Sequence, residues 1–388
     1  MGVSMAAFTT FIEQFSDVLW NSLLLFLLVG TGVYFTVRLR GVQVRRFGEG
    51  FRRVFGGFTL RGKKADAEGM SSFQALTTAI AAQVGTGNIT GCATALVSGG
   101  PGALFWTWVS AFFGMATIYA EAVLAQHYKT TLNGQVTGGP AYYIRAAFKG
   151  KVGKVLATVF SVLIILALGF MGNMVQSNAI SNAFQEALGI PTWIVGVVLA
   201  VLTALCIMGG SQRLSRVTGV LVPVMGGIYV LAALVMIVLH IGLLPGVIAA
   251  IFRNAFDFKA IFGGFAGSAM MQGIKRGLYS NEAGVGSAPN AAAAANVSHP
   301  VKQGLVQMLS VFIDTILICT ATAMMCLCTG IVPSEELKGA PFVQESLGTV
   351  FGVIGPYFIT FALLLFAFTT LLGNLFYCEG CLNYIAGR

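Results

Sequence analysis

Apolar residues along this chain recur in runs of about 20, the length an α-helix needs to cross the hydrocarbon core of a bilayer. The runs lie near residues 18–37, 71–98, 103–127, 154–184, 192–210, 215–240, 262–287, 303–330 and 350–385, and they predict nine membrane helices. No stretch alternates like the ten-residue strands of an outer-membrane barrel. Most of the runs read as continuous Leu/Val/Ala helices. Two do not. The second carries AAQVGTGNITG at Ala81–Gly91, and the seventh carries Ser280-Asn281-Glu282-Ala283-Gly284 with further glycines at 277 and 286.

Backbone polar groups at membrane depth must be hydrogen-bonded, so unwound chain is tolerated there only where it lines a cavity or binds something. Glycine opens backbone conformations closed to other residues and lets a ligand come close. A half-helix that starts at mid-depth offers free N–H groups and a positive dipole end to a carboxylate. A half-helix that ends there offers carbonyls to a cation. Two other readings compete. Glycines in membrane helices also serve close packing, as in GxxxG interfaces, and a glycine-rich loop can cradle a dinucleotide. The second is excluded, because Gly85–Gly91 reads GxGxxxG, one residue too long, and follows an apolar helical run instead of a strand.

The spacing of the two breaks organises the chain. From the second run onward a broken helix is followed by four continuous ones, then a broken helix by two more. An odd number of spans inverts the second unit relative to the first, and paired interrupted helices in inverted repeats mark secondary transporters. The predicted layout is an extra N-terminal span with a basic cytoplasmic loop (1–70), a first five-helix repeat (71–240), and a second repeat of three spans (262–388).

Composition agrees with this reading. Of 388 residues, 56% are hydrophobic and 10% charged, against about 25% charged in a soluble domain. The formal net charge of +9 is unevenly spread. Arg38, Arg40, Arg45, Arg46, Arg52, Arg53, Arg61, Lys63 and Lys64 crowd the first loop, and alternate loops continue with Lys129, Arg145, Lys149, Lys151, Lys154, Arg213, Arg216, Lys302 and Arg388. The opposite loops hold Arg253, Lys259 and Lys338 among Glu186, Asp257, Glu335, Glu336 and Glu345. Basic residues stay on the cytoplasmic side, which predicts an outside N-terminus and a cytoplasmic C-terminus in the cell (inner) membrane. The basic loop then faces anionic lipid, not nucleic acid. Met1–Asp17 lacks a basic n-region, so no cleaved signal peptide is expected. Cys378-Glu-Gly-Cys381 is an isolated CxxC, read as helix-packing thiols before metal or redox chemistry. The sequence has no HExxH or GxSxG, and His127, His240 and His299 are scattered, which argues against an enzyme.

AAQVGTGNITG, GGPGALFW, GGPAYYI and LYSNEAGVGSAPNAAAAA followed by HP resemble the alanine or glycine:cation symporter family, from about residue 15 to the C-terminus. The resemblance implies an all-α polytopic membrane protein of LeuT-like inverted-repeat fold with two broken helices. It implies alternating-access uptake of small neutral amino acids such as alanine or glycine with sodium, a proton being the alternative coupling ion, and no organic cofactor. Gln83, Gly85, Thr86 and Gly87 would meet the substrate, Asn88 would organise an adjacent site, and Gln176 would lie by the substrate. Tyr279, Asn281 and Gly284 of the second break, with Thr370 and Asn374, complete the implied substrate set. The implied sodium ligands are the carbonyls of Ala81 and Val84 and the hydroxyls of Thr369 and Thr370. Such oxygens without a full carboxylate set suit a monovalent ion.

Asn173, Gln176, Ser177 and Asn178 cluster at mid-depth of the fourth run, where amides either face a cavity or clamp helices together. Glu121, Glu282 and Asp314 are ionisable residues inside spans. Glu282 is expected to gate or hold the second break, or to pair with Lys275 or Arg276; Glu121 and Asp314 are expected to satisfy neighbouring helices. If a proton drives transport, one of the three must titrate. The family usually has tryptophan after Leu-Gly where this chain has Asn374, which widens the pocket or admits a polar side chain. A five-plus-five fold would also need two further spans beyond residue 388, so a shortened or inactive form is an alternative expectation, as is a non-transporting binding or sensor protein on the same scaffold.

Overall fold

The computed structural model describes residues 2–55, 71–132, 135–208, 210–257, 268–332, 334 and 337–387. The expectations placed on Arg61, Lys63, Lys64, Lys259, Glu335, Glu336, Arg388 and positions 262–267 lie outside them.

The chain is an all-helical membrane protein with one two-stranded hairpin. Among the described residues, six helices are long and apolar enough to cross a bilayer. They are α1 (2–38), α6 (Ala103–His127), α8 (Gly150–Leu188), α10 (Gly210–Leu239), α14 (Pro300–Leu327) and α16 (Ile354–Ala386). Between them lie α2 (Val42–Arg45), α3 (Phe47–Phe55), α4 (Ser72–Gln83), α5 (87–99), α7 (Pro140–Ala147), α9 (Thr192–Ile207), α11 (Leu244–Ala255), α12 (Ala269–Asn281), α13 (Pro289–Ala293) and α15 (Ala340–Phe351). A hairpin, β1 (Thr130–Leu132) with β2 (Gln135–Thr137), follows α6. The hairpin, α11 and α15 carry no 20-residue apolar run and were not anticipated.

The helices differ in how much they bury. In its most apolar window α14 is 72% buried and α8 only 17%, so α14 is an inner helix and α8 turns an apolar face outward, as a lipid-facing helix does. The two helices that precede the breaks start alike. Ser71 caps α4 in a capping box with Gln74, and Ser268 caps α12 by accepting from the Met271 N–H at 3.2 Å. Both pack inside, α12 on α6 and α4 between α10, α14 and α16. Gly373 permits the last contact: a Cβ there would fall 2.6 Å from the Ala82 Cβ.

Several expected continuous helices are locally widened into π turns. π-helical turns occupy Leu19–Leu24 of α1, Ile165–Gly172 of α8 and Phe312–Cys319 of α14, as well as Gly87–Gly91 at the start of α5. Such turns carry one extra residue per turn and cluster at functional sites. Cys378 lies on α16 against Gly169 of the α8 turn; all seven cysteines are free thiols.

Candidate functional site

The first break is short. Helix α4 ends at Gln83, Val84 is extended (φ −80°, ψ 92°), and helix resumes at Gly87. Its polar groups are met by side chains from elsewhere. The Gly85 N–H donates to Asn88 Oδ1 at 2.9 Å and the Thr86 N–H to Gln176 Oε1 at 3.1 Å. The Thr370 hydroxyl lies 3.2 Å from the Val84 carbonyl and 3.0 Å from the Phe366 carbonyl. Only glycine fits at 85, because a Cβ would sit 2.5 Å from Thr370 Oγ1 and 3.0 Å from Gln176 Oε1. Three helices therefore converge on three residues of unwound chain, Val84–Thr86.

The second break is longer. After α12 ends at Asn281, Glu282 takes a left-handed conformation (φ 55°), and Gly284 and Gly286 have φ of 88° and 86°. The Ser287 hydroxyl donates to Glu282 Oε2 at 2.5 Å, and the Gly284 N–H donates to Glu121 Oε2 at 3.2 Å. The expected pairing of Glu282 with Lys275 or Arg276 is replaced by this loop contact; Lys275 instead lies over the Trp20 ring, 5.8 Å from its centroid. A carboxylate one residue past a helix end can fold onto its own loop, out of reach of side chains one to two turns back.

Contacts tie the breaks together at two points. Gln83 Nε2 donates to the Asn281 carbonyl at 2.9 Å. Asn88 Nδ2 faces Ser280 Oγ (3.0 Å), Asp314 Oδ1 (2.7 Å) and the Asp314 carbonyl (3.0 Å). Ser280 Oγ donates to Asp314 Oδ2 at 2.9 Å, and so does Thr315 Oγ1 at 2.7 Å. Asp314 sits in the π turn of α14 and is fully buried. Ser280 and Asp314 are thus the residues that sequence reasoning undervalued. Their signal was present, a hydroxyl at the break and a carboxylate in an apolar run, but only the fold brings them to Asn88.

Of the anticipated set, Gln83, Gly85, Thr86, Asn88, Gln176, Asn281 and Thr370 form one buried cluster. Tyr279 flanks it: its ring edge is 3.6 Å from where a Gly87 Cβ would stand, and the residue is half exposed. Three others are directed elsewhere. Gly284 serves Glu121. Thr369 donates to the Phe366 carbonyl at 2.9 Å and faces the Met225 sulfur, so it does not join Thr370 on Val84. Asn374 Nδ2 donates to Asn173 Oδ1 at 2.9 Å, a clamp between α16 and α8. Ala81 is fully buried in α4, one turn before the break.

Three side-chain atoms in this region are buried without partners: Gln83 Oε1, Asn281 Nδ2 and Asn374 Oδ1. Buried polar atoms left unpaired cost about 1–3 kcal/mol each, and here an acceptor and a donor stand on the two residues that join the breaks.

Residues 5–388 match the sodium:alanine symporter family. The chain belongs to that family. It is 44% identical over 379 residues to the amino-acid carrier protein AlsT of Bacillus subtilis, covering 97% of this chain and 79% of the relative. It is 41% identical over 385 residues to the sodium/alanine symporter AgcS of Methanococcus maripaludis (98% and 84%). It is 42% identical over 370 residues to the probable sodium/glutamine symporter GlnT of Bacillus subtilis (95% and 76%). As a member of the sodium:alanine symporter family the chain is a cation-coupled amino-acid transporter of multi-pass membrane topology, not an enzyme.

Proposed function

We propose that this symporter takes a small neutral amino acid into the cell with sodium, binding both at the first break, and that it does so by alternating access in a LeuT-like inverted-repeat scaffold of nine spans in the cell membrane, N-terminus outside. The observation that carries the reading is the unpaired acceptor Gln83 Oε1 beside the unpaired donor Asn281 Nδ2 at the seam of the two breaks. Exchanging oxygen and nitrogen in either amide still leaves polar capacity there. A zwitterion supplies what the pair lacks, an ammonium for the acceptor and a carboxylate for the donor, while the helix start at Gly87 adds positive dipole.

Sodium is read at Val84 and Ala81 with Thr370. Thr370 already leans on the Val84 carbonyl, whereas Thr369, turned to Phe366 and Met225, is the weaker candidate of the pair. Sodium there holds the unwound chain in the shape the substrate needs, so each favours the other. Asp314, braced by Asn88, Ser280 and Thr315, provides the charge through which a cation or a proton senses both breaks. The relatives' names span alanine and glutamine, which supports a pocket that also admits a polar side chain. The test is uptake of labelled alanine and glutamine into proteoliposomes carrying the full chain. Accumulation above equilibrium under an inward sodium gradient supports symport; saturable binding without accumulation supports a sensor.

A further inference from the structure

A hollow of about 460 Å³ opens on the flank of the molecule between α3, α4, α10 and α14. Among its described lining residues every side chain but that of Thr77 is apolar, and the Thr77 hydroxyl is spent on the Gln74 carbonyl at 3.1 Å. Helix α10 makes the space. Pro223 interrupts its hydrogen bonding, and Gly226-Gly227 then present no side chain to fill the gap. A Cβ at 227 would meet nothing within 4 Å. Leu231 and Leu234, both more than half exposed, stand at the mouth on a helix that faces lipid.

One end of the hollow is closed by Val54 and Phe55 of α3. This helix is interfacial: Phe47 packs edge-on against Phe312 of α14, 4.9 Å between centroids, and its other face is basic. Arg45, Arg46, Arg52 and Arg53 crowd α2 and α3 and their junction against a single described acid, Glu49, which takes Arg46 at 3.3 Å and Arg53 at 2.5 Å. The Arg53 hydrogen bond lowers the Glu49 pKa and keeps that carboxylate ionised, so it cancels one of the four positive charges and leaves the rest.

An oily slot open to the bilayer with arginines at its interfacial end has the chemistry of a lipid site. We propose that it binds one anionic phospholipid, an acyl chain in the slot and the phosphate among the α3 arginines, Arg52 first. The chain would lie against Leu76 and Ile80 of the half-helix before the first break and against Ile313 and Leu317 of the π turn that carries Asp314. Bound lipid therefore wedges the two elements that build the transport site, and it stabilises the arrangement in which the slot is open. The alternative occupant is the chain's own segment 56–70, but GGFTLRGKKADAEGM is rich in charge and glycine, a poor filling for an apolar slot.

The test uses the full chain, delipidated in neutral detergent and offered phosphatidylglycerol or phosphatidylcholine, with retained lipid counted by native mass spectrometry. Phosphatidylglycerol should be retained about fivefold over phosphatidylcholine, and Arg52→Gln should remove that preference. Gly227→Phe fills the slot and should retain about tenfold less lipid, whereas Gly227→Ala leaves it open and should behave as the parent. Phosphatidylglycerol with a diazirine in its acyl chain should label peptides of α4, α10 and α14 in the unaltered chain, a readout that needs no variant to fold. Equal retention of the two lipids, undiminished retention by a folded Gly227→Phe, or labelling confined to other helices would each overturn the proposal. No retained lipid at all would overturn it as well.

Discussion

The two breaks solve the same problem in opposite ways. In the first, side chains meet three of the freed backbone groups: Gln176 from α8, Thr370 from α16, and Asn88 reaching back from the resumed helix. Gly85, Thr86 and Asn88 are buried, and no residue there has positive φ. In the second, the chain meets itself through Glu282 and Ser287, with Glu121 as the outside support, and it spends three positive-φ residues in doing so. Val285 at its centre is exposed. A break held by other helices is tuned by where those helices stand, so it can present a site that appears and disappears with their movement. A break held by its own loop keeps its shape while its helix moves, which suits a pivot. On the proposed reading, recognition falls at Val84–Asn88, and α12 is the element that delivers Asn281 and Ser280 to it.

That division is sharpest where the breaks touch. Asn88→Ala removes the donor facing Ser280 and Asp314 and leaves a buried carboxylate short of a partner, at a cost of about 3 kcal/mol or more. Uptake should be lost and the thermal midpoint should fall by several degrees; a variant with near-normal transport would show that the breaks work independently. The next effect separates the breaks directly. Gly85→Ala pushes a methyl into Thr370 and Gln176, an overpacking of about 1–3 kcal/mol, and should abolish substrate binding. Gly284→Ala strains a positive-φ position by about 1–2 kcal/mol and should lower stability while leaving affinity nearly unchanged. Equal affinity losses in both would erase the distinction. The smallest effect concerns neighbours on α16. Thr370→Ala should raise half-saturating sodium about fivefold, the worth of about 1 kcal/mol at one oxygen ligand. Thr369→Ala, whose hydroxyl faces Met225 and Phe366, should move it less. Sodium titrations of uptake check both, and the reverse order would mean that Thr369 is the better ligand.

The breaks were legible in the sequence because glycine, glutamine, threonine and asparagine have no place in an apolar run unless something uses them. The same logic exposed Gln176 and the three carboxylates inside the apolar runs. The π turns were not legible: ILALGFMG reads like any lipid-facing helix, because a widened turn answers to what packs across it, such as Cys378 against Gly169. The bracing of Asp314 was hidden for a related reason. Asn88, Ser280 and Asp314 are separated by up to 226 residues, and no local pattern announces that they meet. Thr369 and Thr370 show the finest limit. Adjacent identical residues look interchangeable in sequence, yet on a helix they point about 100° apart, and only Thr370 faces Val84.

The joint site at the first break is the central claim, and equilibrium binding of labelled alanine to the purified chain tests it most directly, in sodium and in potassium, for the parent and for Thr370→Ala. Binding should be tight in sodium and weak in potassium, and Thr370→Ala should weaken it in sodium alone. Alanine bound equally well in both salts, with Thr370→Ala indistinguishable from the parent, would contradict a shared sodium and substrate site at Val84–Asn88.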